Sequence, residues 1–198
     1  MKGLCRERNL AALALFGLSA LFTLSYWDRF LAPSSAGAFY YVAEQVLAGH
    51  MPYRDFFFVA PPLHALKLSL LLSVFGDGFL VTRFDALIER SVLAVVVYFW
   101  LSRFVRGHAA FCGSLLAVVV FACDPADALA SYHHDSVFWG VLAGYSASST
   151  LDTSSAMRRS AAAFVSGAFA GLCILTKQTT GLGITAAIPI ILAWLWIR

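Results

Sequence analysis

Charge is scarce in this chain. Of its 198 residues only 13% are Asp, Glu, Lys or Arg, about half the share of roughly 25% found in an ordinary soluble domain. The few charges form no basic stripe, and no nucleic-acid motif occurs, so nucleic acid is not an expected partner and the net charge of +3 identifies none. Cysteine is equally uninformative. Cys5, Cys112, Cys123 and Cys173 are scattered, with no CxxC pair, which leaves buried structural thiols as the reading. Ten-residue stretches of alternating polarity are lacking too, which excludes a membrane β-barrel. Neither an internal repeat, a linker nor a soluble domain can be traced.

What the chain has instead is long apolar runs, with 60% hydrophobic residues and a mean hydropathy of +0.77. Inside lipid every backbone polar group must be satisfied within the segment, so such runs are helices. The expected fold class is all-α, a polytopic membrane helical bundle forming a single transmembrane domain over residues 1–198. Spans are expected at about 10–27, 79–104, 107–123, 132–149, 160–176 and 179–197. Pro189 in the last run is expected to kink it. An outer loop with short helices occupies 33–76. Within it Ala38–Ala48 reads as a short amphipathic helix closed by Gly49, and Leu63–Phe75 is apolar but only thirteen residues long, short of the roughly 20 that a span needs. The basic start Met1–Asn9 followed by Leu10–Tyr26 has the outline of a signal peptide, but the run is long for a signal core and is read as an uncleaved first span.

Charge sets the orientation. With the N-terminus in the cytoplasm and Leu63–Phe75 not spanning, Lys2, Arg6, Arg8, Arg103, Arg106, Arg158, Arg159 and Arg198 fall inside. Asp28, Glu44, Asp55, Asp77, Asp124, Asp127 and Asp135 then fall outside. If Leu63–Phe75 spanned, Arg103, Arg106, Arg158 and Arg159 would move outside, against the positive-inside rule. The location this implies is the inner (plasma) membrane, multi-pass, with the active face periplasmic or extracellular. Early in the second span, Arg83 and Arg90 share one helical face and Asp85 and Glu89 another. At that depth such charges should face protein or water.

The outer face then gathers Pro33–Pro62, Asp124–Asp135 and Lys177-Gln178. It carries carboxylates (Asp55, Asp124, Asp127, Asp135), imidazoles (His50, His64, His133, His134) and cations (Arg54, Arg83, Lys177). Carboxylates beside cations at a lipid–water boundary suit a substrate with an apolar tail and an anionic head. The cations would hold a phosphate, and a carboxylate would take a proton from an incoming hydroxyl. Plainer readings stand beside these. Tyr53-Arg54-Asp55 is also the composition of a turn with a local salt bridge, Phe56–Phe58 suits an interfacial aromatic anchor, and Lys177 suits a snorkelling helix end. Adjacent His133 and His134 point apart on regular backbone, so no metal is expected there, and no cofactor is expected.

Two blocks carry a family resemblance. One reads G-x-F-x-Y-x-A-x-x-[VI]-L-x-G-x-x-P-Y-R-D, met by Gly37, Phe39, Tyr41, Ala43, Val46, Leu47, Gly49, Pro52, Tyr53, Arg54 and Asp55. The other, G-L-x-x-L-T-K-Q-T-x-G, runs from Gly171 to Gly181. Between them come Pro61-Pro62-Leu63, a glycine break at Gly76 and Arg83 early in the next span. In this order the chain resembles, over nearly its whole length, the integral-membrane glycosyltransferases of the GT-C fold, in the protein-mannosyltransferase and aminoarabinose-transferase-like superfamily. The resemblance implies transfer of a sugar from a polyprenyl-phosphate donor to an acceptor on the outer side of the membrane. It implies a carboxylate acting as base and cations stabilising the departing phosphate. The partners it implies are a lipid-linked sugar donor and membrane lipids, with the acceptor open. Asp55 and Asp135 are the candidates for carboxylate work. Tyr53, Arg54, Arg83, His133, His134, Lys177 and Gln178 are the candidates for substrate contact.

Two departures weigh against a straightforward transfer of role. Such enzymes carry an acidic residue just before the first block, where this chain reads Pro33-Ser34-Ser35-Ala36-Gly37. A serine is a poor general base at neutral pH, which leaves Asp28, Asp55 or Asp135, or a relative without activity. Family members also have more spans, so the chain reads as an N-terminal portion. The rival readings are a truncated or degenerate non-catalytic relative that binds lipid-linked sugar or a protein partner, and a transporter. Transport or lipid flipping predicts repeated halves and charges along a path, whereas the charges here crowd at one face, with Arg83, Asp85, Glu89 and Arg90 as the partial exception.

Overall fold

The computed structural model describes residues 2–26, 36–76, 78–122 and 131–197. Asp28, Pro33–Ser35, Asp77, Cys123, Asp124, Asp127 and Arg198, all used in the sequence reading, lie outside the described residues. Those described form eight helices and no strand, so the chain is all-α.

The helices are α1 (Lys2–Leu24), α2 (Ala36–Leu47), α3 (Leu63–Phe75), α4 (Leu80–Leu101), α5 (Gly107–Ala122), α6 (Tyr132–Ser149), α7 (Ala156–Thr176) and α8 (Gln178–Ile197). Local chemistry sets several of their ends. Past α2 the amide of His50 donates to Gln45 O and that of Gly49 to Val46 O, at 3.0 Å each. This paired closure requires the left-handed backbone that Gly49 adopts at φ +91°. Pro61-Pro62 precedes α3, and Gly76, at φ +93°, follows it. Helix α1 extends through the basic start of the chain, so Arg6 and Arg8 lie on its first turns.

Two helices, Arg6–Leu24 and Ala156–Thr176, are long and apolar enough to cross a membrane, and Leu63–Phe75 with Leu80–Leu101 adds a third if that bent pair is one span. Gly107–Val120 and Gln178–Ile191 are shorter apolar helices. The other expected spans fall short for visible reasons. Helix α4 alone carries Arg83, Asp85, Glu89 and Arg90, and α6 opens on His133, His134 and Asp135.

Two compact units divide the chain, Met1–Tyr41 with Leu71–Ser131 and Val42–Leu70 with Tyr132–Arg198. In the first, α1, α4 and α5 pack around Ala12, Leu15, Tyr98 and Ala110. Helix α4 buries a stripe that includes Arg83, Arg90, Ala94 and Tyr98, while Phe84 and Ile88 face outward. Arg83 and Arg90 thus share the protein-facing side, as their spacing requires. Arg90 donates from Nη1 to the Tyr26 hydroxyl at 2.6 Å. Cys112, expected buried, is exposed on α5, whereas Cys173 is buried.

In the second unit α6, α7 and α8 pack on one another through small residues. Gly140, Ala143 and Ala147 of α6 and Ser166, Ala170 and Cys173 of α7 are buried. Ser166 donates to Ala143 O at 2.9 Å and Cys173 Sγ to Ser136 O at 3.0 Å. Small residues of this kind let helix backbones approach closely.

Candidate functional site

In the second unit a buried carboxylate lies in the first turn of α6. Asp135 is 1% exposed, and the positive end of the helix dipole favours its charge. Its Oδ2 lies 2.8 Å from His64 Nδ1 and 2.9 Å from Lys67 Nζ. His64 and Lys67 stand three residues apart on α3 and so share a face. His64 is fully buried, and the Lys67 side chain, 19% exposed, turns its ammonium onto the same buried carboxylate oxygen. With Nδ1 facing the carboxylate, the imidazole donates its Nδ1 proton to Asp135. A charge buried alone would be far too costly, whereas one held by a cation and a second hydrogen bond is tolerable.

Next to it on α6, His133 meets Lys177. Lys177 Nζ donates to His133 Nδ1 at 2.6 Å and lies 5.7 Å from the centroid of the Tyr132 ring. Lys177 is the single residue between α7 and α8. Its backbone is extended, at φ −152° and ψ 106°, so α7 ends and α8 begins at Gln178, which is exposed. Lysine has donors and no acceptor, so its side chain cannot cap the first-turn amides of α8, which follow it directly in the chain. His134, one position along α6 from His133, points away from that corner as adjacent helical residues must.

Tyr53, Arg54 and Asp55 form a different structure in the same unit. Asp55 Oδ1 accepts from Arg54 Nε at 2.9 Å, and Oδ2 accepts from Arg54 Nη2 and the Met51 amide, both at 2.7 Å. The Asp55 amide returns to Met51 O at 2.9 Å and the Tyr53 amide to Phe56 O at 2.9 Å. Tyr53 adopts φ +67°, the sole non-glycine among the described residues in the left-handed region, and its hydroxyl donates to Ala60 O. The Arg54 guanidinium, then the Met51 amide, hold the Asp55 carboxyl down at about 2.

Of the sequence candidates, His133, Asp135, Lys177 and Gln178 therefore lie at one end of the α6–α7–α8 bundle. Tyr53, Arg54 and Asp55 make a self-contained turn. Arg83 is buried on α4 of the first unit. His64 and Lys67 were assigned no role from sequence. Their signal was there, a His-x-x-Lys pair on one face of a helix with no other charge, but nothing in the sequence named Asp135, 71 residues from His64, as the partner.

No family model, curated protein or solved structure matches this chain.

Proposed function

We propose that the chain is a multi-pass membrane protein of GT-C glycosyltransferase type, with its N-terminus in the cytoplasm of a cell bounded by the plasma (inner) membrane. Its working face lies on the outer side, and it moves a sugar from a polyprenyl-phosphate donor to a hydroxyl acceptor. Large apolar side chains exposed on helices, among them Leu13, Phe164 and Ile190, support a lipid surround. The observation that carries the reading is the meeting of Lys177 with His133, two residues from the buried Asp135. A lysine, an imidazole and the open start of α8 offer a phosphate several donors in one place.

In the scheme, the acceptor oxygen attacks the anomeric carbon, and the bond from that carbon to the phosphate oxygen breaks. The electron pair stays on the phosphate. Its added negative charge is met by Lys177 and the α8 amides, an interaction stronger in the transition state than in the bound donor. The acceptor proton passes to Asp135, which Lys67 and His64 hold in place. Asp55 serves as the lock of its turn, because a carboxyl held at about 2 is a weak base at neutral pH. Arg83, in the first unit, enters no step.

A second reading has an observation of its own. Asp135 is only 1% exposed, which suits a structural ion cluster in a non-catalytic relative that binds lipid-linked sugar. Transfer of labelled sugar from polyprenyl-phosphate donors, measured in membranes, separates the two. Lys177→Met and Asp135→Asn should each lower transfer by about 100-fold at equal expression, Lys177→Arg should restore part of it, and Asp55→Asn should leave most of it. No transfer by the wild type across a donor panel, with donor still bound, selects the non-catalytic reading.

A further inference from the structure

The first unit contains a cavity that the proposed chemistry does not use. It measures about 530 Å³ and lies among α1, α4 and α5, within the roughly 300–1,000 Å³ typical of small-molecule sites. Its rim is charged and its floor is not. Glu7 and Arg8 come from the first turns of α1, Ser102 from the end of α4, and Gly107 and His108 from the start of α5. Arg8 is braced there, with Cζ 5.6 Å from the Phe99 ring centroid and Nη2 3.5 Å from Ser102 Oγ.

The floor holds an independent pointer to a ligand. Tyr98 is 2% exposed and belongs to the core of the unit, yet it lines the cavity. Its hydroxyl makes no hydrogen bond among the described residues and is not one of the enclosed polar atoms, so it opens on the cavity. A Cβ placed on Gly107 would lie 4.0 Å from that oxygen, so the hydroxyl sits beneath the first turn of α5. The first bond of that turn runs from the Ala110 amide to Arg106 O at 2.9 Å, which leaves the three preceding amides without an acceptor inside the helix. Tyr98, Arg8 and those amides are all donors, and together they fit the oxygens of a phosphate.

Glu7 decides what the phosphate is attached to. A bare anion would be repelled by a carboxylate on the rim, whereas a headgroup bearing an ammonium would gain from it. The candidate span of α1 begins at Arg6, so the cavity lies at the end of an apolar segment, the level of lipid headgroups. We propose that this cavity binds a zwitterionic phospholipid by its phosphoethanolamine headgroup. The phosphate meets Tyr98, Arg8 and the start of α5, and the ammonium meets Glu7. The inference is independent of sugar transfer, since none of these residues belongs to the α6–α7–α8 corner.

The test is lipid titration of the full chain in detergent, read by native mass spectrometry and by melting temperature. The probes are phosphatidylethanolamine, phosphatidylglycerol, soluble phosphorylethanolamine and inorganic phosphate. Phosphatidylethanolamine should be retained at the lowest concentration. Tyr98→Phe, which keeps the ring in the core, should weaken it roughly tenfold, the size of one hydrogen bond to a charged group. Arg8→Met, at the exposed rim, should do the same without touching the core. Glu7→Gln should narrow the preference over phosphatidylglycerol. Equal retention by wild type and both Tyr98→Phe and Arg8→Met would overturn the site. Equal stabilisation by inorganic phosphate or soluble phosphorylethanolamine would overturn the lipid assignment.

Discussion

Asp55 and Asp135 have the same side chain in opposite settings. Asp55 lies at the surface and spends both oxygens on its own turn. Because its folded pKa is lowered to about 2 from an ordinary 3.8, the ion pair helps hold the turn fully above the ordinary value. That help fades as pH falls through the folded one. A carbon-13 titration of the Asp55 carboxyl in micelles should therefore give a midpoint near 2, and Arg54→Met should move it up towards 3.8. A wild-type midpoint at or above 3.8 would remove the ion pair as the lock of this turn. Asp135 has its partners fixed by fold instead, since His64 and Lys67 reach it from another helix. That contrast explains what the sequence could carry at this scale. Tyr-Arg-Asp displays a turn and its salt bridge within three residues, whereas the partners of Asp135 exist only once α3 and α6 have packed.

At the scale of elements, the corner between α7 and α8 determines where Lys177 points. Both helices are apolar, and a single extended residue separates them. The polar run Thr176–Thr180 announced that break in the sequence, and α3 was equally plain between its double proline and Gly76. The tightness of the corner was not visible there. A Cβ on Gly181 would fall 2.4 Å from the backbone nitrogen of Ile174, and backbone cannot rotate aside. Gly181→Ala should thus force α8 off α7, at about 1–3 kcal/mol, and lower both the melting temperature and any function that depends on Lys177. At Gly140 the nearest obstacle is the Cδ1 tip of Ile184, which can swing away, so Gly140→Ala should cost less. Melting curves of the two variants in detergent would settle the order, and a Gly181→Ala protein as stable as the wild type would mean that the corner is looser than this geometry requires.

For the whole molecule the open quantity is the number of crossings. Hydropathy alone marks six runs, yet by length and composition two helices qualify, or three with the bent pair. Part of the difference is length, since Gly107–Val120 and Gln178–Ile191 are apolar but short, and the rest is polar content that a bundle can shelter but an isolated helix cannot. Arg83 and Arg90 are buried on α4, and Asp135 is buried on α6, so these helices could lie in lipid only with their charged faces turned to protein. Topology separates the alternatives because each crossing reverses the side of everything after it. With six crossings and α3 not spanning, Val59 and Ser154 lie on opposite sides of the membrane. If α3 spans by itself, they lie on the same side, and Arg158 and Arg159 move out with Ser154 against the charge rule. Val59 is exposed and Ser154 lies in the exposed connection before α7, so each accepts a probe. Single cysteines at the two positions, in a background lacking the native four, should react differently with a membrane-impermeant maleimide on intact cells. Val59→Cys should label at once and Ser154→Cys only after the cells are opened. Labelling of both from outside would require an even number of crossings between them, as when α3 crosses by itself or when only α1 and α7 cross, and protection of both would reverse the orientation on which the outer working face depends.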